Sequence, residues 1–238
     1  MNFRRSIRFL AVLVFLVMFC VSCETTHQTR SAATSGFLND YSQLKEGRDG
    51  QALLMYIDEE VNFDLYDKII INPVHLVASE DSDMASVSKE DLQAVADYFH
   101  AVLNQNLSEK HTIVKESGPG TMRLRVALTD VTESIVVRDV LSSLVPVCVA
   151  VNVISKVATG NNTAVGSATA ELELLDSVSG KRLAAAVDGR SGIKYTGKFD
   201  KFSKWQDAKD ACDYWAEHIA THLDELSYSG YILKGDEK

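Results

Sequence analysis

The sequence lacks the motifs that commonly assign a biochemical activity. No Gly-rich phosphate-binding loop occurs, and "GRSG" (Gly189–Gly192) does not have the spacing of a nucleophile elbow. His218 and His222 are four residues apart, as in a shared metal site, but Ile219 stands where zinc proteases carry the glutamate base. We therefore interpret the two histidines as a pair beside the core. The sequence indicates no metal, no cofactor and no catalytic residue.

Basic residues are scarce relative to acidic ones. The chain has 24 Lys and Arg against 33 Asp and Glu, a formal net charge of −9. The first 22 residues contain three of the basic residues and none of the acidic ones, so the rest of the chain has a net charge of −12. Such a surplus repels phosphate backbones and anionic lipids. It argues against nucleic acid as a partner and against attraction to a membrane by charge.

Cysteine is scarce as well, with four residues in the whole chain. Cys20 and Cys23 belong to the N-terminal segment, so Cys148 and Cys212 are left for the folded part. In an oxidising compartment these two could form one disulfide, although sequence cannot show that they approach each other. Cys148 lies in an apolar run and Cys212 on an apolar helix stripe, which favours two buried thiols. A disulfide is the alternative.

The N-terminus lacks an apolar run long enough to cross a bilayer. Arg4, Arg5 and Arg8 precede the 13 apolar residues Phe9–Val21, whereas a spanning helix needs about 20. A positive start, a short apolar run and a small residue at its exit are typical of a secretory signal peptide. We therefore predict that residues 1–22 are a cleaved signal.

The residues around Cys23 give this signal a particular character. Val21-Ser22-Cys23 resembles the lipobox of bacterial lipoproteins, although Cys20 stands where that pattern usually has an aliphatic residue. The resemblance implies cleavage between Ser22 and Cys23, with diacylglycerol and an N-acyl chain such as palmitate on Cys23. Glu24 replaces the Asp that retains lipoproteins at the inner membrane of enteric-type bacteria, which implies the periplasmic face of the outer membrane. A chance cysteine after an ordinary signal, or a retained anchor, are the alternatives.

Composition divides the remaining chain into a tether, one domain and a tail. Residues 23–35 contain no large apolar residue and are predicted to be a lipidated, flexible tether. With 46% hydrophobic residues overall, residues 36–228 can build the core of a single domain. Residues 229–238 are interpreted as a polar C-terminal tail. The aromatic segment Gly36–Gly47 is the first segment after the tether that we expect to dock on another surface.

Short apolar runs rich in β-branched or alternating residues predict a sheet. Ala52–Ile57 is consistent with a short strand, and Lys68–Ala78 predicts a strand with an edge or a bulge at Pro73. Two strand-like runs flank the turn at Ser117–Gly120 and predict a hairpin. A second hairpin is predicted over Ser167–Gly192.

Helical spacing of apolar residues predicts two amphipathic helices. Ser88 is a candidate cap for the first helix, and the second runs from Trp205 to Leu226. The apolar run Val136–Val157 is interpreted as a helix broken at Pro146. The predicted fold is α/β (α+β): a mostly antiparallel sheet covered on one face by the two amphipathic helices, plus the apolar broken helix.

Two groups of residues are candidates for function. Asp130, Asp188 and Arg190 end predicted strands and could gather into a polar cluster for acid–base work, although charged residues at strand ends more often pair or cap a turn. The apolar run is either core or a partly exposed patch, and a large exposed patch marks an interaction surface. The residues of that possible interaction surface are Leu141, Leu144, Val145, Val149 and Val153.

The chain resembles a family of Gram-negative lipoproteins known as domain of unknown function 3313. The resemblance rests on "SGFLNDYSQLKEG", "YDKIIINPVHL", "LRVALTDV", "ELELLDSVSGKRLAAAVDGRSG" and "KWQDAKDACDYWA", in this order. It implies an envelope lipoprotein with an α/β domain and brings no reaction. We expect a non-enzymatic interaction or structural module whose partners are the membrane, through its lipid, and envelope proteins or the cell wall. A ligand binder with a groove lined by Val136–Val157, and a hydrolase using Asp130, Asp188 or a histidine, are the alternatives.

Overall fold

The computed structural model describes residues 26–78, 82, 84, 87–132, 166–192 and 205–235, with side chains up to Ser227. The predicted signal peptide and Cys23 lie outside these residues. So does the predicted broken helix at 136–157, with the five residues of the possible interaction surface.

The described residues form an α+β fold with one nine-stranded mixed sheet. Its strands are β1 (Thr26–Gln28), β2 (Lys45–Glu46), β3 (Leu54–Ile57), β4 (Lys68–Ile71), β5 (His75–Leu76), β6 (Thr112–Ile113), β7 (Thr121–Val131), β8 (Ser167–Asp176) and β9 (Arg182–Gly192). The helices are α1 (Lys89–Leu107) and α2 (Gln206–Gly235), and a 3₁₀ turn covers Phe63–Leu65.

The long strands β7, β8 and β9 form the centre of the sheet. The strand order is β2-β3-β9-β8-β7-β4-β6, with β1 beside β9 and β5 beside β7. β8 pairs antiparallel with both long neighbours, whereas β4 and β5 run parallel to β7. The predicted hairpin of β8 and β9 and the predicted mostly antiparallel sheet are therefore confirmed.

The predicted hairpin around Ser117–Gly120 is wrong. β6 pairs with β4 in parallel, and β4 in turn pairs with β7, so one strand separates the two runs. The Gly-Pro turn therefore connects strands that are not neighbours. The error has a physical cause, because β4 comes from far earlier in the chain and local spacing cannot reveal its insertion.

The prediction of a flexible tether over residues 23–35 is wrong for residues 26–29. Thr26–Gln28 form β1, which pairs antiparallel with the end of β9 through Thr26 and Gly192, and Thr29 donates its N–H to Gly189 O at 2.8 Å. This segment needs no large apolar side chain, because backbone hydrogen bonds to an open strand edge hold it.

Both helices form where apolar spacing predicts them. The Ser88 side chain accepts a hydrogen bond from Asp91 N at 3.1 Å, which confirms the predicted cap of α1. α2 continues to Gly235, so the polar tail predicted from residue 229 is mostly helical. In the part of the chain that the structure describes, neither helix is long and apolar enough to cross a membrane.

The buried apolar residues form two clusters. The main core joins both helices to the sheet, for example through Phe99 and Trp215, whose rings lie 5.7 Å apart, and through Leu124. The second core consists of Phe37, Leu38, Ala127, Ala185 and Val187. Its first two residues belong to residues 32–44, called here the N-terminal strap. The predicted docking of the aromatic segment is thus confirmed.

Candidate functional site

Asp188 is a buried carboxylate at the junction of three elements. Its side chain lies on β9, and the residue is 6% exposed. Oδ1 accepts hydrogen bonds from Gln28 Nε2 at 2.6 Å and from Leu53 N at 3.3 Å, and Oδ2 accepts one from Trp215 Nε1 at 2.8 Å. One carboxylate therefore ties β1, the start of β3 and helix α2 together.

Arg190 lies two residues further along β9 and is buried as well. Its Nε donates to Thr26 Oγ1 and its Nη2 donates to Thr26 O, both at 2.9 Å. The guanidinium lies over the ring of Tyr214, with 3.4 Å between Cζ and the ring centroid. A buried guanidinium that stacks on a ring and binds a carbonyl is held firmly. Arg190 therefore holds Thr26, the first residue of β1, against the sheet.

Asp130 is not part of this arrangement. It lies on β7 and pairs with Thr169 of β8, which pairs with Gly189 of β9. Paired residues share a face of the sheet, and consecutive residues of a strand alternate between the two faces. Asp130 therefore lies on the face of the sheet opposite to that of Asp188 and Arg190. Its Oδ1 instead accepts a hydrogen bond from Ser82 Oγ at 2.8 Å. The structure thus brings together two of the three predicted residues.

A second polar arrangement lies beneath the N-terminal strap. Glu171 of β8 is fully buried, with 0% exposure. Its Oε1 accepts a hydrogen bond from Ser35 N at 2.6 Å, and its Oε2 accepts one from Tyr41 Oη at 2.5 Å. Burial raises the pKa of Tyr41, and the bond to Glu171 adds to this effect. The phenol therefore stays a proton donor to the carboxylate.

Glu173 and Arg182 continue this arrangement. Glu173 Oε2 pairs with Arg125 Nη1 at 2.5 Å, and its Oε1 accepts from Arg182 Nε at 2.9 Å and Nη2 at 2.7 Å. Arg182 also donates to the backbone carbonyls of Leu38 and Asp40, each at 2.8 Å. The guanidinium thereby links the sheet to the strap.

Sequence reasoning missed this second arrangement. Glu171 and Glu173 alternate with apolar residues, the pattern of a strand with one face in water. The strap covers that face, and its aromatic residues Phe37 and Tyr41 were the available signal. Phe37 lies 4.8 Å from Arg125 Cζ, measured from the ring centroid. Tyr41 and Glu171 are 130 residues apart in the sequence, so local spacing could not show which strand the aromatic segment covers.

The histidine pair on α2 belongs to a ladder of rings. Tyr214 stacks on His218 with 3.6 Å between centroids, and His218 lies 6.2 Å from His222. His218 Nδ1 lies 2.9 Å from Tyr214 O, and His222 Nδ1 lies 3.0 Å from Glu225 Oε2. Among the described residues there is no group of three or more His, Cys, Asp or Glu that could hold a metal.

Cys212 is a free, buried thiol in the same helix. Burial raises its pKa well above the ordinary value, so it stays protonated. Cys148, the other candidate for a disulfide, lies outside the described residues.

Open depressions on the surface of the described residues include the following two. One, of about 570 Å³, is lined by Lys68, Val114, Lys115 and Pro119 among others. The other, of about 420 Å³, lies between β1 and the β2–β3 hairpin and includes Gln28 and Arg48. Neither of these two depressions is lined by Asp188, Arg190 or Glu171. The hydrogen bonds of Asp188, Arg190 and Glu171 join segments that are distant in the sequence.

Fold and site together define an α+β domain. The N-terminal strap covers part of its sheet, and its buried charged side chains bind other groups of the same chain. The chain belongs to the family described as "Protein of unknown function (DUF3313)", which matches residues 33–219. It is 26% identical over 187 residues to the uncharacterized lipoprotein YdcL of Escherichia coli K12, covering 77% of this chain and 82% of YdcL.

Solved structures resemble the chain more distantly. The PelC dodecamer of Paraburkholderia phytofirmans is 9% identical, with a TM-score of 0.39 over 71% of this chain and 94% of PelC. Protein XCC0632 of Xanthomonas campestris is 8% identical, with a TM-score of 0.35 over 75% of this chain and 94% of that protein. Similarities at this level carry no inference about function.

Proposed function

We propose that the chain is a lipoprotein, anchored by Cys23 to the periplasmic face of the outer membrane, that acts as a non-enzymatic interaction or structural module of the envelope. We also propose that α1 and α2 together cover one face of the sheet and leave the other to the N-terminal strap. The observation that carries the proposed lipid anchor is the position of Cys23. It follows Val21-Ser22 at the end of a short apolar run and precedes the folded domain. YdcL, the similar protein of E. coli, is itself a lipoprotein by its name.

The buried charges support a structural role for the polar residues. Asp188, Glu171 and Glu173 each accept hydrogen bonds from donors of this chain, including Trp215 Nε1 and the guanidinium of Arg182. Buried carboxylates that are satisfied in this way stabilise the contacts between segments. A hydrolase that used Asp188 would have to break the contact that fixes β1 and α2.

The proposed interaction surface consists of Leu141, Leu144, Val145, Val149 and Val153 in the apolar run. This run lies between Thr132 and Gly166, which are both at one end of the sheet: Thr132 N donates to Ser167 O at 2.9 Å, and Gly192 N donates to Gly166 O at 3.0 Å. The two described residues that flank the run in the sequence therefore lie at the same end of the sheet.

The anchor is tested by intact-mass measurement and fractionation of cell envelopes. We expect the protein from outer-membrane fractions to carry diacylglycerol and an N-acyl chain on Cys23, and a Cys23→Ala variant to lack both and to leave the membrane. Cys212→Ala is the matched control and should fractionate like the wild type. An unmodified Cys23 in membrane fractions would contradict the proposal.

The interaction role is tested with photo-crosslinking residues in intact cells. A crosslinker at Leu144 or Val149 should trap an envelope protein or cell-wall material, whereas one at the exposed Val178 (66% exposed) should not. Native mass spectrometry of the same preparation distinguishes the ligand binder: a retained small molecule without a crosslinked partner would favour that alternative.

A further inference from the structure

The first described residue, Thr26, is fixed to the domain more firmly than a tether would be. It is 1% exposed, it pairs with Gly192, and both its hydroxyl and its carbonyl accept hydrogen bonds from Arg190. Arg190 is itself 3% exposed and stacks on Tyr214. These contacts attach the chain to the sheet from Thr26 onwards.

Very little chain is left between this fixed point and Cys23. Only Glu24 and Thr25 stand between Cys23 and Thr26. Three residue steps span at most about 10 Å, even when fully extended. A lipid on Cys23 would thus hold Thr26 within about 10 Å of the headgroups, a distance similar to the thickness of one helix.

Several chain segments meet at this end of the sheet. Thr26 pairs with Gly192, whose N–H bonds to Gly166, and Gly166 N donates to Asp207 Oδ2 at 3.0 Å in the first turn of α2. Thr132, at the end of β7, bonds to Ser167 beside them. Residues 26, 132, 166, 192 and 207 together are called here the anchor end of the sheet.

From this geometry we propose that the anchor end faces the bilayer and lies against the lipid headgroups. The opposite end, with the β8–β9 turn at Ser177–Lys181, points away from the membrane. β8 has ten residues, so the two ends are about 33 Å apart. The short connection to Cys23 sets this orientation, since the acidic domain has no attraction to anionic lipid by charge. The inference rests on the proposed lipidation of Cys23.

The orientation can be measured by energy transfer to the membrane. The lipidated full chain with Cys148→Ser is placed in phosphatidylcholine vesicles that contain an acceptor-labelled lipid. A donor is attached to His27→Cys near the anchor end or to Val178→Cys at the far turn. Both native residues are exposed, whereas Cys212 is fully buried and should not react. We expect transfer from position 27 to exceed transfer from position 178 by about twofold or more, given the strand length.

Two insertions test whether the short connection causes the orientation. A flexible Gly-Ser linker of about 12 residues adds roughly 20 Å of reach. Placed between Thr25 and Thr26, it should abolish the difference between the two labels. The same linker in the exposed loop between Asp49 and Gly50 should leave the difference unchanged.

The outcomes separate this inference from the proposed function. Vesicle-bound protein with the lipid mass on Cys23 but equal transfer from both labels overturns the orientation and leaves the proposed function intact. Protein without the lipid mass, or without vesicle binding, overturns both. A difference that survives the linker at Thr25 also overturns the inference, because another contact would then set the orientation.

Discussion

Tyr41 and Glu171 form a hydrogen bond at a fully buried carboxylate, 2.5 Å between Oη and Oε2. Tyr41→Phe removes the donor and leaves one carboxylate oxygen without it. We expect the free energy of unfolding to fall by about 1–3 kcal/mol, the cost of an unsatisfied buried polar group. Urea denaturation followed by tryptophan fluorescence measures this loss.

Tyr98→Phe is a matched control for that substitution. The Tyr98 hydroxyl donates to Asp213 at 2.7 Å, but Asp213 is exposed, so water can replace the lost donor. A smaller loss is expected there. Equal losses at the two positions would mean that burial of Glu171 does not determine the strength of the strap contact.

We expect His111 to make the free energy of unfolding depend on pH. It is 8% exposed, and its Nδ1 has no hydrogen-bond partner among the described residues. Burial lowers its pKa in the folded protein, and the facing carboxylates of Asp224 and Asp67 oppose this only in part. Because the folded pKa lies below the unfolded value of about 6.5, the contribution to stability is complete above that pH. It is lost as pH falls through the folded pKa, since the unfolded chain takes up the proton first.

The substitution His111→Gln isolates this effect. We expect the loss of unfolding free energy between pH 8 and pH 5 to be smaller in the variant than in the wild type. The exposed His27, substituted by Gln, is the control and should keep the wild-type dependence. A pH dependence unchanged by His111→Gln would contradict the assignment.

At the scale of elements, the first turn of α2 closes the anchor end of the sheet. A Cβ on Gly192 would lie 2.3 Å from Asp207 Cγ, so Gly192→Ala should displace the carboxylate that binds Gly166 N. We expect a loss of about 1–3 kcal/mol, the usual cost of overpacking, and faster hydrogen exchange at Gly166 and Thr26. Gly118→Ala, with its nearest contact at 3.9 Å, is the control and should be tolerated. If hydrogen exchange at Thr26 is unchanged in Gly192→Ala, the stability of β1 does not depend on the first turn of α2.

The elements that sequence predicts are those whose evidence is local. The Ser88 cap, the two helices and the β8–β9 hairpin each depend on residues within about one element of each other. β6 was assigned to the wrong neighbour because β4 enters between it and β7 from a distant part of the chain. β1 was missed for another reason: Thr26 is held by backbone pairing and by Arg190, and neither leaves a hydrophobic pattern in residues 26–28.

In the candidate site, too, local sequence predicts some features, whereas others depend on contacts between distant segments. Asp188 and Arg190 could be predicted as a pair, because they occupy alternate positions on one strand. Their partners Gln28, Thr26 and Trp215 come from both ends of the chain and carry no shared pattern. The structural role of Asp188 and Arg190 therefore follows only from their contacts in the folded protein. The strand-end charges join the two termini of the domain.

For the whole molecule, charge and anchor have separate roles. A net charge of −12 after residue 22 opposes adsorption to anionic lipid, so membrane attachment should depend on the acyl chains alone. A chain that begins at residue 23 with Cys23→Ala should remain in the supernatant when vesicles of phosphatidylcholine and phosphatidylglycerol are sedimented, at low and at physiological salt. The lipidated chain should sediment under both conditions, since screening does not weaken burial of acyl chains. If the unlipidated chain sediments with the vesicles, a protein surface contributes to attachment. Repeating the assay with Leu144→Asp and Val149→Asp would then show whether the apolar run supplies that surface.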